Sequence, residues 1–320
     1  MTTPWTALPL PVAPVADATV LPLPSLAVLA FTGPESLKFL QGQTTADFRE
    51  VEQGRVLPGA VCSLKGRVLF SFIAVPRGPD VDLVLPVDQI EAAQAHLGKY
   101  AVFNKTSLES AGSRLALLGL AGPRAAAALA RLGLAAPEPG RASLGDNGAW
   151  AVRALPDERY LVALTAAALT DAWPSLADEY GVGHEDQWRA ADIHAGLATV
   201  TAATRDQFQP QELNYAVLEA VSYNKGCYTG QEVVARLYFR GKLKQRLYRL
   251  EAAGAATGPV MAEGVAVGDV VMAAPDGDRV AVLAVVKNVA ARAGGLRWGE
   301  GGPALEVRDL PYSLPSDKEE

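Results

Sequence analysis

The sequence predicts an α+β protein in which a duplicated β-α-β-β-α body is followed by a small C-terminal β-barrel. Two observations carry this prediction. A short apolar strand pattern, a Gly-Pro pair and a helix pattern occur together twice, at residues 26–42 and again at residues 115–133. After residue 249, glycine and valine dominate, turn signals recur at short intervals and helical patterns vanish. A chance likeness of two alanine- and leucine-rich segments is the alternative to a duplication.

The first copy starts with a strand at residues 26–31. A helix follows Gly33-Pro34, because proline suits the first helical position. Two apolar runs, at residues 56–62 and 67–75, are separated by Ser-Leu-Lys-Gly and predict a hairpin. A further strand at 81–85 and a helix at 88–99 complete the copy.

The second copy has a strand at 115–120 and a helix at 124–133. Strands at 150–155 and 159–164 are joined by a Pro-Asp-Glu turn, and a helix covers 166–180. Another helix is predicted at 184–196. The predicted organisation is a lead-in (1–23), a body (24–245, with related subdomains at about 24–110 and 111–245), a β-barrel (246–312) and a tail (313–320).

Composition narrows the class of protein. A net charge of −6 argues against a general nucleic-acid binder. Two cysteines, Cys62 and Cys227, cannot form a disulfide framework, so reduced thiols in the cytoplasm are expected. No apolar stretch is long enough for a membrane span, and the three histidines lack ligand spacing, so neither a membrane protein nor a metal site is expected. A monomer is expected.

Residues 222–249 reverse the acidic balance around Cys227. Lys225 precedes this cysteine, and Thr229-x-x-Glu232 follows it, a spacing that predicts a capping box opening a short helix. A helix N-terminus and a neighbouring lysine both favour the thiolate, the reactive form of cysteine. Cys227 is therefore interpreted as a functional thiol, whereas Cys62, inside an apolar strand, is interpreted as structural.

A basic run interleaved with aromatic residues follows Cys227. It is either a solvated face, as most charge runs are, or a site for a carboxylate, a phosphate or an RNA backbone. The sequence alone leaves both interpretations open. Its members are Arg236, Arg240, Lys242, Lys244, Arg246 and Arg249, with Tyr223, Tyr228, Tyr238, Phe239 and Tyr248 among them.

The octapeptide at residues 225–232, KGCYTGQE, resembles the K-G-C-Y-x-G-Q-E signature of the YgfZ family of folate-binding proteins. The fold of that family is that of the glycine cleavage T-protein, a tetrahydrofolate-dependent aminomethyltransferase. Residues 39–47 (FLQGQTTAD), 65–67 (KGR), 191–196 (ADIHAG) and 210–214 (PQELN) resemble the family as well. The likeness covers about residues 24–310.

The resemblance implies a T-protein-like, folate-binding fold with tetrahydrofolate, or a derivative, in the central cavity of three domains. It implies an accessory role in the assembly or repair of iron–sulfur enzymes, including tRNA-modifying ones. Cys227 and Lys225 would be the functional residues, with Cys227 in transient contact with a cluster. Folate contacts are expected from Gly226, Tyr228, Gly230, Gln231, Glu232, Arg236 and Arg240.

The expected partners are folate and iron–sulfur client or assembly proteins, whereas nucleic acid is not expected as a direct ligand. The catalytic aspartate and folate-gripping glutamate motif of the T-protein are not placed in this sequence, so its status as an enzyme stays open. A folate-dependent accessory protein is favoured. The alternatives are a folate-dependent one-carbon (aminomethyl)transferase and an RNA-binding module that uses the basic run.

Overall fold

The computed structural model describes residues 4–8, 10, 19–153 and 159–314. The predicted Pro-Asp-Glu turn and the end of the predicted tail lie outside these residues. Two of the sheets contain, in chain order, β1 (Val20–Pro22), β2 (Leu26–Thr32), β3 (Leu57–Cys62), β4 (Val68–Arg77), β5 (Asp80–Pro86), β6 (Ser107–Ser110), β7 (Leu115–Leu120), β8 (Ala142–Leu144), β9 (Trp150–Arg153) and β10 (Tyr160–Thr165).

The helices connect and cover these sheets. In chain order they are α1 (Ser36–Gln43), α2 (Phe48–Glu52), α3 (Ile90–Ala101), α4 (Ala125–Arg131), α5 (Ala166–Tyr180), α6 (Glu185–His194), α7 (Gln231–Arg240) and α8 (Asn288–Ala293). Short 3-10 turns occur at Pro4–Ala7, Val87–Gln89, Asp146–Gly148 and Ala202–Thr204. No helix in the described part of the chain is both long and apolar enough to cross a membrane.

The first two sheets repeat one antiparallel topology, which confirms the predicted duplicated α+β body. Their strand orders are β3-β4-β5-β2-β6 and β8-β9-β10-β7-β1. In the second copy β8 takes the place of β3. The sequence did not predict this strand, because it is three residues long and none of its side chains is buried. Strand β1 comes from the predicted lead-in and pairs with β7.

The two sheets pack on each other through an apolar layer that includes Val28, Val84, Leu117, Trp150 and Leu161. The outer face of the first sheet packs against α1, α2 and α3, and that of the second against α4 and α5. Both faces of each sheet are therefore covered, which explains why strands β3 and β4 are almost continuously apolar.

The C-terminal region is a curled six-stranded sheet that fits the predicted small β-barrel. Its order is β15-β12-β13-β14-β11-β16, and the register between β13 and β14 shifts near Val270, where a bulge bends the sheet. The short helix α8 inside this region was not predicted. The strands are β11 (Gln245–Ala252), β12 (Val260–Ala262), β13 (Val265–Asp276), β14 (Arg279–Lys287), β15 (Arg297–Trp298) and β16 (Leu305–Arg308).

Candidate functional site

A cavity of about 290 Å³ lies where the two sheets, α6, the segment after it and the C-terminal segment meet. Its lining is mostly apolar. Gly59 and Phe72 come from the first sheet, Leu161 from the second, Trp188 from α6 and Tyr312 from the C-terminal segment. An apolar cavity formed at the junction of several elements is typical of a small-molecule site.

Two charged side chains, Arg153 and Asp192, also line this cavity. Asp192 lies on α6, and its carboxylate is 2.9 Å from the guanidinium of buried Arg159. Arg159 stacks over the ring of Trp188 at 4.3 Å and donates to the Trp188 carbonyl. The carboxylate of Asp192 is thus held in a fixed position at the cavity wall, together with one indole ring.

The Cys227 loop (residues 222–230) lies against the turn between α1 and α2. The backbone N–H of Ser222 donates to the Thr45 carbonyl at 2.9 Å. Arg49 donates to the Asn224 carbonyl at 2.9 Å and also pairs with Asp47, and it holds the pKa of that carboxyl below its usual range. These contacts fix the first half of the loop to the first subdomain.

Lys225 provides the deepest anchor of the loop. Its side chain is 8% exposed, and its Nζ donates to the carbonyls of Thr44 at 2.6 Å and Ala46 at 2.7 Å. The ring of Tyr228, itself buried, lies 5.2 Å from the same nitrogen. Burial lowers the pKa of Lys225 from 10.5 to about 7. Lys225 is therefore a buried clamp whose amine points inward.

The second half of the loop packs on the β3–β4 hairpin at Gly230. This residue has φ +82°, and a Cβ placed there would lie 2.3 Å from the Ser63 carbonyl oxygen. Gly230 is the N-cap of α7, and no side chain caps that helix. The predicted capping box at Thr229 is therefore wrong, because the left-handed glycine moves the start of the helix one residue along.

Cys227 is exposed at the outer surface of this anchored loop, beside Gly226, which is also exposed. The loop thus combines a buried lysine and a buried tyrosine with an accessible thiol between them. Because the anchors lie on both sides of Cys227, the backbone at the thiol is held while the sulfur can reach a reaction partner. This arrangement suits a nucleophile or a ligand for cargo held by another molecule.

Comparison with family models gives no match. Comparison with curated proteins gives matches over almost the whole chain. It is 34% identical over 312 residues to the tRNA-modifying protein YgfZ of Serratia proteamaculans (strain 568), with 94% of each chain covered. It is 32% identical over 328 residues to the protein of that name from Yersinia enterocolitica, with 99% of each chain covered.

The chain therefore belongs to the YgfZ family. A solved structure of the glycine cleavage system aminomethyltransferase T from Bartonella henselae matches with a TM-score of 0.76 at 20% sequence identity, covering 92% of this chain and 86% of that chain. At that identity the match shows the fold, and it confirms the T-protein-like architecture implied by the octapeptide.

The residues predicted from the YgfZ signature come together, but they do not line the 290 Å³ cavity between the two sheets and α6, which we call the central cavity. Lys225, Gly226, Cys227, Tyr228 and Gly230 form the Cys227 loop, and Gln231 and Glu232 start α7. Arg236 and Arg240 line a separate surface pocket of about 330 Å³ with Val233, Leu237, Gln209 and Gly241. Among the described residues that line the central cavity, none belongs to the predicted folate-binding set.

No pattern in the sequence assigns Asp192, Arg153 or Trp188 to a site. Asp192 was visible only as part of the ADIHAG segment, which resembles the YgfZ family pattern. A single carboxylate on a helix pattern carries no signal of its own. Its place at the cavity depends on the packing of α6 between the two sheets, which a linear pattern does not contain.

The other cysteine, Cys62, is fully buried on β3, and burial raises its pKa to about 12. It is therefore an inert packing residue, as the apolar strand around it predicted. Because Cys62 is buried, Cys227 is the one accessible thiol among the described residues. Among the same residues, no group of three or more His, Cys, Asp and Glu side chains could hold a metal ion.

Proposed function

We propose that this protein is a tetrahydrofolate-binding accessory factor that supports the assembly or repair of iron–sulfur enzymes, including tRNA-modifying ones, through the thiol of Cys227. One observation carries the proposal: an exposed cysteine is held on a loop whose lysine is buried on two backbone carbonyls. The name of the relatives, tRNA-modifying protein YgfZ, supports a role in tRNA modification.

Lys225 acts in this proposal as a positioning residue. Its amine is occupied by the Thr44 and Ala46 carbonyls, so it contributes by keeping Cys227 at the surface. The thiolate of Cys227 transiently engages a cluster, a persulfide or a one-carbon adduct, which is the cargo of the client enzyme. The exposed position of the sulfur supports a partner that is itself a macromolecule, because a small ligand gains little from so open a surface.

The central cavity supports the folate part of the proposal. A pteridine is a flat heteroaromatic ring with an amino-amide edge, and a carboxylate accepts two hydrogen bonds from such an edge. Asp192 provides that carboxylate, Trp188 an aromatic side chain in the wall and Arg153 a cation for an acidic tail. When bound, a reduced folate supplies one-carbon chemistry, and these residues would orient it and exclude water.

Replacing Cys227 with serine is expected to abolish support of the client enzyme. The variant is expressed in a strain that lacks its own family member, and a tRNA modification made by an iron–sulfur enzyme is measured by nucleoside mass spectrometry. C227S should fall to the level of the empty strain, because serine does not form a thiolate. C62A, which changes the buried cysteine, is the matched control and should retain the modification. Full support by C227S would refute the proposal.

Replacing Asp192 with asparagine is expected to weaken binding of 5-formyltetrahydrofolate at least about tenfold, because a charge-assisted hydrogen-bond pair is lost. Isothermal titration calorimetry measures the affinity. D186N makes the same change on the same helix, at a carboxylate paired with Arg189, and should bind as the wild type does. Because D192N removes the charged partner of Arg159, circular dichroism checks that the variant is still folded. Equal affinities for both variants would remove the central cavity as the folate site.

A second candidate is one-carbon transfer from folate to an amine or a tRNA base. The T-protein-like fold favours it, and Asp192 is the single carboxylate among the described residues of the cavity wall. Product formation from methylene-tetrahydrofolate and a candidate acceptor, lost in D192N and retained in C227S, is the expected result for such a transferase. No product across a range of amine acceptors would eliminate it.

A further inference from the structure

A cationic surface lies along α7 and beyond its C-terminal end. We define the α7 surface as the exposed cations Arg236, Arg240, Lys242 and Lys244, with Lys65 on the adjoining β3–β4 hairpin. The hairpin contacts the helix closely, since a Cβ at Gly66 would lie 2.8 Å from Val233. In the described part of the chain these five cations have no ion pair.

This surface contrasts with the rest of the molecule. The chain carries a net charge of −6, and Glu232 is the single carboxylate on α7. Five cations without an ion pair raise the local electrostatic potential. They repel each other unless an anionic partner is bound. The arrangement is therefore a binding surface for negative charge, positioned within an otherwise acidic protein.

Apolar groups lie among these cations. Leu64 is 83% exposed, Phe239 60% and Tyr238 48%. Tyr238 stacks on Tyr223 with ring centroids 3.8 Å apart, and Phe239 packs edge-on against Tyr238 at 5.0 Å. The rings are thus ordered by each other, so a partner would lose little side-chain entropy in contacting them.

A pocket of about 330 Å³ completes the surface. Arg236 and Arg240, one helical turn apart, lie at its sides, and Val233 and Leu237 provide apolar walls. Such a pocket accepts an aliphatic side chain while the guanidinium groups pair with flanking carboxylates. Arginine and aromatic residues around an apolar pocket are the composition of the centre of a protein–protein interface.

We propose that the α7 surface docks an acidic segment of a partner protein and thereby brings that partner to Cys227. The inference deepens the proposed function, since it rests on Cys227 acting on a client. A protein is favoured over RNA because one face of the Tyr238 ring is already covered by Tyr223 and the pocket walls are apolar, so base stacking has less to gain here.

The distance along α7 is compatible with one interface. A ten-residue helix is about 15 Å long, and Cys227 precedes its first residue by four positions. A standard protein–protein interface buries about 800 Å² on each partner, which spans such a distance. A client held by Arg236 and Arg240 would therefore have surface within reach of the thiol.

The test uses fluorescence anisotropy of the full chain with a labelled peptide of glutamate and leucine, and with an oligouridylate of equal charge. The peptide is expected to bind, more weakly at about 200 mM than at about 50 mM NaCl. R236E/R240E should weaken peptide binding at least about tenfold. K99E/R131E, on α3 and α4, changes the net charge equally and should leave the affinity within about twofold. Circular dichroism confirms that both variants are folded.

Three results would overturn the inference. These are no peptide binding by the wild type, equal losses in the two double variants, or tighter binding of the oligouridylate that R236E/R240E removes, which would make the surface an RNA site. C227S separates this inference from the proposed function: it should bind the peptide as the wild type does. If the peptide fails to bind while C227S still abolishes tRNA modification, the docking surface is wrong and the role of the thiol stands.

Discussion

Replacing Gly230 with alanine is expected to lower the free energy of unfolding by about 3 kcal/mol, because an L-residue at positive φ costs about 1–2 kcal/mol and the new methyl group adds a steric clash. Gly230 has φ +82°, and its added Cβ would lie 2.3 Å from the Ser63 carbonyl oxygen. That oxygen belongs to the backbone of the β3–β4 hairpin, so it cannot rotate away. Urea unfolding measures the change.

Gly122 provides a matched control for this substitution. Its φ is +79°, nearly the same as that of Gly230, but no atom lies within 4 Å of an added Cβ. G122A should therefore lose only the backbone term, about 1 kcal/mol. The difference between the two variants isolates the contact of the Cys227 loop with the hairpin. Equal losses would show that the loop does not pack on the hairpin as described.

Replacing Lys225 with methionine is expected to destabilise the protein by about 2 kcal/mol at pH 8, since each buried carbonyl left without its donor costs about 1–3 kcal/mol and removal of a buried amine offsets part of that. The two carbonyls are those of Thr44 and Ala46. K65M, at an exposed lysine of the neighbouring hairpin, should change stability by less than about 0.5 kcal/mol.

The difference in unfolding free energy between the wild type and K225M should depend on pH. The pKa of Lys225 is about 7 in the folded protein against 10.5 for the ordinary group. Between these values the unfolded chain holds a proton that the folded protein has lost, so the unfolding free energy of the wild type rises with pH. Relative to K225M, the wild type should gain stability from pH 7 towards pH 10 and lose it as the pH falls through 7. A flat difference over this range would show that the amine is not buried.

The sequence was most informative where a pattern is local. The helix at residues 166–180 and the strand at residues 115–120 have the predicted bounds, because a continuous apolar run and a helical period are both visible within one segment. The three-residue strand β8 and the six-residue helix α8 were missed, because neither is long enough to show a period. The curled C-terminal sheet was predictable from its turns.

The site was only partly predictable, and the reason is distance along the chain. The octapeptide identified Cys227 and Lys225, but not that the lysine points inward, since its acceptors lie at residues 44 and 46. The wrong capping box at Thr229 has the same origin: Gly230, which starts the helix, packs so closely on the Ser63 carbonyl that a Cβ would not fit. Asp192 and Arg153 line the same cavity only because α6 and β9 pack around it in the folded protein.

We propose that folate and the thiol occupy different parts of the molecule. The cavity wall at Gly59 adjoins Ala46, whose side chain would contact a Cβ at that glycine, and Lys225 binds the other side of the same turn through the Ala46 carbonyl. One turn thus separates the cavity from the Cys227 loop. The cavity is suited to hold a small ligand, and the loop is suited to meet a large one.

The most direct test of this separation is the alkylation rate of Cys227 by iodoacetamide as 5-formyltetrahydrofolate is titrated to saturation. C62A serves as the protein, so that the accessible thiol is the one labelled. The rate is expected to stay within about twofold while calorimetry shows the folate site filling, because the ligand does not cover the sulfur. Complete protection of Cys227 at saturation would contradict this separation, since folate would then lie on the Cys227 loop.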